Sequence, residues 1–233
     1  MYKRLVVGAF IILFSGCAML SSGYGIEIKK EEQETDYSSV YAEIIEFSGF
    51  KNKEYQSELN LELSDEVADA ISSFDALAFE ASETLPPGVK STLNITQKVR
   101  RNSDDIISFI TENYIYTGGA HGSTAWYPKT IDVASDEPHV LSLGELFSDS
   151  DYLKKLNSII NTMVESNPDK YSELWAKPEV TAENEWRFYM TDSDLVIFFP
   201  PYELSYYAKG FIEFPIPLSE LNPILNDNFK TVN

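Results

Sequence analysis

Two histidines, one cysteine and 37 acidic residues are the groups in this 233-residue chain from which hydrolytic, metal or thiol chemistry would have to be built. His121 and His139 stand eighteen residues apart, a spacing that fits no zinc-ligand pattern. The single Cys17 rules out both a Cys-based zinc cage and an internal disulfide. Carboxylates spread along the whole chain single out no acid–base pair. HExxH, GxSxG, P-loop and GxGxxG patterns are all missing. These residues therefore predict a protein that is not an enzyme and carries neither metal nor cofactor.

Two stretches do concentrate unusual residue types. The first runs from Tyr116 to Gly122, where Gly118, Gly119 and Gly122 free the backbone for positive φ and let another group approach closely. It reads either as a tight turn at a strand end, with His121 satisfied locally, or as a ligand-contact loop bearing Gly118, Gly119 and His121. The second runs from Phe198 to Gly210. Pro200 and Pro201 remove two backbone donors and stiffen the chain, so a strand must end there. Tyr202, Tyr206 and Tyr207 are then displayed on a rigid connector, as anchors for a partner or as a cover for the sheet edge. Tyrosines on a stiff backbone lose little entropy on binding and offer both apolar area and a hydroxyl.

Composition narrows the partner. With 18 Lys+Arg the formal net charge is −19, which excludes nucleic acid as a partner, since holding phosphates takes a cationic surface. A hydrophobic share of 43% is enough to build a core. Lys3 and Arg4 precede an apolar run, Leu5 to Phe14, that is shorter than the roughly 20 residues a membrane span needs. The run closes on Phe14-Ser15-Gly16-Cys17, which resembles a bacterial lipobox. The expectation is a lipoprotein signal peptide over 1–16 and an acylated, palmitate-bearing Cys17, with an ordinary signal and a chance cysteine as the alternative. Ala18 in place of Asp points to the outer membrane, facing the periplasm, in a Gram-negative envelope. Residues 17–37 lack hydrophobic period and read as a flexible tether.

Positioning these residues falls to a mixed set of elements. Ser38 to Phe47 alternates as a strand and closes at Gly49. Over residues 52–80 the period changes: Leu59, Leu63, Val67, Ile71, Phe74 and Ala78 form one helical stripe, with a break allowed near Ser64-Asp65-Glu66 and a stop at Pro86-Pro87-Gly88. A hairpin is expected around Asn102-Ser103-Asp104, a further strand over Trp126 to Val133, and a helix from Tyr152 to Val164 with Leu153, Leu156, Ile160 and Met163 inward. Ser148 with Asp151 has the spacing of that helix's start. A second hairpin around Thr191 to Asp194 and a last strand from Phe211 to Ile216 complete the set. Strand runs with inserted helices, without a regular βαβ beat, predict an α+β fold, mainly antiparallel sheet with two principal helices packed on it.

Five short motifs in order resemble the extracytoplasmic domain of the RsiV anti-sigma factor family. They are Gly118 to Gly122, Leu143 to Phe147, Phe199-Pro200-Pro201-Tyr202-Glu203, Tyr207 to Gly210 and Ile216 to Leu221. Upstream, Ser48 to Asn52 with Gln56 and Asn60 is similar to the module that accompanies RsiV and the peptidoglycan deacetylase PdaC. The resemblance implies a PdaC-type N-terminal module over 38–115 and an RsiV-like module over 116–233, closely packed. It further implies lysozyme binding through the proline–tyrosine loop, with Pro200 and Tyr202 at the contact and the Gly118 to Gly122 loop near it. Together with the anionic composition, this leads to an expected non-catalytic envelope lipoprotein that binds lysozyme or a similar cationic wall-active protein. The alternative is a module that binds peptidoglycan or another glycan, with Tyr206 and Tyr207 stacking on sugars; the membrane is met through the lipid anchor only.

Overall fold

The computed structural model describes residues 23–230, so the signal segment and Cys17 lie outside the described residues. The chain divides into two compact units, one of residues 23–98, 102–104 and 111–126, the other of 99–101, 105–110 and 127–230. Among the described residues the architecture is α+β, with nine strands and two long helices.

In the first unit, β1 (Gly25–Glu34) pairs antiparallel with β2 (Ser38–Ser48). Helix α1 (Lys53–Ser82) follows and leads into β3 (Ser91–Asn102), which lies parallel to β2. The turn predicted at Asn102 to Asp104 joins β3 to β4 (Ile106–Tyr116), and β5 (Ser123–Asp132) and the two-residue β6 (His139–Val140) complete a sheet of order 1-2-3-4-5-6. Strands β3, β4 and β5 each contribute residues to both units.

Helix α1 forms because its six-residue stripe is spaced for one face; Leu59, Leu63, Val67, Ile71, Phe74 and Ala78 are the residues it buries. The break allowed near Ser64 does not occur. Leu63 and Val67 on either side of it are 0% and 2% exposed, so a kink would uncover two core side chains. Asn52 caps the helix, its Oδ1 accepting from the Tyr55 N–H at 3.0 Å. The motif residues Gln56 and Asn60 tie the incoming loop to this helix: Gln56 Oε1 accepts from Phe50 N, and the Asn60 amide bonds both N–H and C=O of Phe47.

Of the tether expected over residues 17–37, residues 17–22 lie outside the described residues and Gly25–Glu34 form β1 instead. All ten of its side chains are exposed, so no hydrophobic period marks it in sequence. It is held instead by a ten-residue ladder to β2, an ion pair of Lys29 with Glu46, and the ring of Tyr24, which packs on Phe50 at 4.6 Å just before the strand.

In the second unit, α2 (Tyr152–Ser166) packs Leu156 and Ile160 into a core shared with a three-stranded antiparallel sheet. That sheet has the order β7 (Phe188–Met190), β8 (Asp194–Phe199), β9 (Ile212–Pro217). Asp151 stands at the start of α2 but makes no side-chain cap; the capping box belongs to Ser142 and Glu145, at the short 3-10 turn Leu143–Leu146. Among the described residues no helix is long and apolar enough to cross a membrane.

Candidate functional site

Strand β8 ends at Phe199, which is 1% exposed and edge-on to Phe214. Pro200 cannot continue the ladder, and its carbonyl accepts from the Glu203 N–H at 3.2 Å to close a turn. Inside that turn Tyr202 adopts φ = +70°, the one positive φ outside glycine among the described residues. An L side chain there costs about 1–2 kcal/mol, so the surrounding contacts must hold it.

Those contacts are buried backbone and small side chains. Leu204 and Ser205 are each 3% exposed. The Leu204 carbonyl accepts from Trp175 N at 2.9 Å, and the Ser205 hydroxyl donates to the Glu173 carbonyl at 2.9 Å. The phenol rings point the other way: Tyr202 is 57% and Tyr206 41% exposed, Tyr207 is half-buried, and the rings of Tyr202 and Tyr207 lie 5.5 Å apart. Tyr206 donates its hydroxyl to Glu173 Oε1 at 2.7 Å, while Lys209 ion-pairs with Glu173 and lies 5.9 Å from the Tyr206 ring. Hydrogen bonds from Lys209 and then Tyr206 hold the Glu173 carboxyl below the usual carboxylate range. Reciprocally, the bond to Glu173 raises the Tyr206 phenol and the Lys209 ammonium.

Two tryptophans that the sequence reading missed frame this loop. Trp175 is 58% and Trp186 49% exposed. Trp175 Nε1 donates to the Glu203 carbonyl at 3.2 Å. Arg187 lies 5.3 Å from the Trp186 ring and bonds Glu203 Oε2 at 2.6 Å, so Glu203 joins both tryptophan segments to the loop. Trp175 stands in an aperiodic stretch and Trp186 at the start of a predicted strand, and neither setting marks a tryptophan as exposed. A cavity of about 400 Å³ shares Glu173, Ser205 and Lys209 with the loop and is otherwise walled by residues such as Tyr171, Val196 and Ile212. The acids at the loop are thus already paired, Glu173 with Lys209 and Glu203 with Arg187. What the loop offers outward is an aromatic surface with fixed polar edges.

Gly118, Gly119 and His121 belong to the first unit, whereas Pro200, Tyr202, Tyr206 and Tyr207 belong to the second. Gly118 and Gly119 have φ of +113° and +91°. A Cβ on Gly118 would come within 2.8 Å of the Leu85 side chain, and one on Gly122 within 2.4 Å of the Tyr114 ring. His121 Nδ1 lies 2.8 Å from the Gly122 carbonyl. His139 bridges the Glu137 carbonyl and Glu145 Oε1, which raises its pKa, the backbone bond first. Among the described residues no group of three or more His, Cys, Asp and Glu side chains is placed to hold a metal ion.

Two family models match the chain. One, described as deacetylase PdaC, covers residues 31–124; the other, described as a protein of unknown function (DUF3298), covers residues 144–219. Among curated relatives, peptidoglycan-N-acetylmuramic acid deacetylase PdaC of Bacillus subtilis is 28% identical over 144 residues, which is 60% of this chain but 30% of that protein. Anti-sigma-V factor RsiV of the same organism is 30% identical over 210 residues, 86% of this chain and 69% of RsiV. Crystal structures of DUF3298 family members from Bacteroides fragilis and Pseudomonas aeruginosa share the fold. The first has a TM-score of 0.65 at 15% identity, covering 89% of this chain and 96% of that one. The second has a TM-score of 0.60 at 18% identity, covering 91% and 98%.

Proposed function

Because the chain belongs to the family of anti-sigma-V factor RsiV, we propose that it is a non-catalytic cell-envelope protein whose loop from Pro200 to Tyr207 binds lysozyme or a similarly cationic wall-active protein. The observation that carries this reading is Tyr202: a ring more than half exposed, on a left-handed backbone that a glycine would occupy at lower cost. Strain kept beside an exposed aromatic, on a loop pinned from behind by Leu204 and Ser205, is the arrangement of a preorganised anchor. Trp175, Trp186 and Tyr206 extend the same surface, and exposed Trp and Tyr are the residue types that dominate binding hot spots.

In this reading the acylated Cys17 tethers the protein to a membrane, the outer one in a Gram-negative envelope, and the partner is met on its periplasmic side. Gly118, Gly119 and His121 are secondary to the tyrosine loop, since their contacts are largely explained within their own unit.

The test is capture of hen lysozyme by the immobilised protein at low salt, with Tyr202→Ala and Trp175→Ala alongside. Each substitution is expected to weaken capture by about 30-fold or more, the effect of losing a hot-spot aromatic. Failure of the unsubstituted protein to retain lysozyme, or equal retention by Tyr202→Ala, would remove the proposal.

A further inference from the structure

The open face of the first unit's sheet is built unlike an ordinary solvent face. Strand β2 turns Val40, Ala42 and Ile44 into the core with α1. By alternation the opposite face carries Tyr41 and Glu43 from β2, Asn94, Thr96 and Lys98 from β3, Glu112 and Tyr114 from β4, and Thr124 and Trp126 from β5. Tyr41, Asn94, Thr96, Glu112, Tyr114 and Thr124 line one depression of about 500 Å³.

The charge at its centre is paired within the face. Glu112 accepts from Trp126 Nε1 at 2.7 Å and from Lys98 at 3.3 Å; Glu43 accepts from the Tyr41 hydroxyl at 2.7 Å, and Lys30 lies 5.8 Å from the Tyr41 ring. Glu43 and Glu32 lie with Lys30 towards the β1 edge of the face, and at its centre, beside the Glu112–Lys98 pair, the remaining polar groups, Asn94, Thr96 and Thr124, are neutral. Thr96 buries its hydroxyl without a partner. The rings are held in advance. The Trp126 indole is pinned by Glu112, and Gly122 packs so closely on the Tyr114 ring that any side chain there would collide with it. The glycine loop singled out in the sequence thereby acquires a role: it sets the ring of Tyr114.

We propose that this face binds an uncharged oligosaccharide, with Tyr114 and Trp126 stacking against sugar rings and Asn94, Thr96 and Thr124 exchanging hydrogen bonds with hydroxyl or acetamido groups. Neutral side-chain amides and hydroxyls beside fixed aromatic planes match that chemistry. A charged ligand at the centre of the face would meet a carboxylate and an ammonium, Glu112 and Lys98, that already neutralise one another. The site is independent of the tyrosine loop.

The experiment is an amide-resolved NMR titration of the full-length protein with chitohexaose and, separately, cellohexaose. Expected is a dissociation constant of the order of 10⁻⁴ to 10⁻³ M for at least one of them, with shifts confined to β2–β5. The constant should be little changed between about 50 and 500 mM NaCl, because stacking is not screened. Tyr114→Ala should weaken binding by about tenfold or more. Asn94→Ala, at an exposed position where folding is not at stake, should weaken it by about threefold to tenfold. Tyr202→Ala should leave it unchanged. No shifts with either sugar at millimolar concentration would overturn the proposal. So would binding indifferent to Asn94→Ala and Tyr114→Ala, or a Gly/Ser/Asn peptide that shifts the same amides when neither sugar does.

Discussion

Tyr202 combines two properties that stability alone would not bring together: a left-handed backbone and an exposed ring. Replacing it by glycine separates them. Glycine occupies φ near +70° without a Cβ penalty, at some loss through its freer unfolded state. Tyr202→Gly is therefore expected to leave unfolding free energy unchanged or to raise it by up to about 1 kcal/mol, while lysozyme capture falls as far as with Tyr202→Ala. Chemical denaturation and capture measured on the same variant check this. A clear loss of stability would mean that the ring is a structural cover and not an anchor. The residue types of this loop were legible in the sequence, since two prolines before three tyrosines fix where a strand ends and which rings the connector displays. The sign of φ at Tyr202 was not, because it depends on tertiary contacts: Leu204 and Ser205 buried, Trp175 bonded to the Leu204 carbonyl. Trp175 and Trp186 escaped for a related reason, as a lone tryptophan in an aperiodic stretch or at a strand start reads equally as core or surface until a neighbour such as Glu203 is placed beside it.

Among the elements, those legible in advance were the ones that bury a face. The stripe of α1 and the alternations of β2 and β3 report their own period because one side of each is shut off from water, whereas β8, buried on both sides, shows as a continuous apolar run. Strand β1 reports nothing of the kind, since its ladder to β2 uses only backbone groups that every sequence has. A second feature hidden from periodicity is Gln97, a polar residue 4% exposed within β3. The parallel register of β2 with β3 runs only from Ser38↔Ser91 to Ala42↔Ile95. Just beyond it, Gln97 Oε1 accepts from Ile45 N at 2.6 Å, and its amide donates to the Thr111 hydroxyl at 3.0 Å. The side chain stands in for the ladder where the strands part. Gln97→Leu preserves volume but orphans a buried N–H, so it should cost about 1–3 kcal/mol, whereas an apolar-for-polar swap at a merely tolerated core position would be neutral. Urea unfolding followed by far-UV circular dichroism measures the difference. Equal stability of Gln97→Leu would show that Ile45 N–H finds another acceptor.

At the scale of the whole molecule, the excess of acids belongs elsewhere than in the tyrosine loop and the open sheet face. Glu173 and Glu203 at the tyrosine loop are ion-paired, as is Glu112 on the open sheet face. The long-range field comes instead from residues such as Glu54, Glu58, Asp65 and Asp69 on the exposed side of α1, within a total of 37 acids against 18 bases. Contact and attraction are then supplied by different parts of the chain, and kinetics can tell them apart. A field of this kind accelerates encounter with a cationic partner and is screened within a Debye length of about 10 Å at 0.1 M salt. The association rate with lysozyme should therefore fall by about tenfold or more between 50 and 500 mM NaCl, with the dissociation rate little changed. Tyr202→Ala should do the reverse, speeding dissociation while keeping the same salt slope of association. Stopped-flow or surface-based kinetics on both proteins at both salt concentrations reads out the four rates. A salt-independent association rate would mean that the acidic surface does not guide the partner, even if the tyrosine loop holds it.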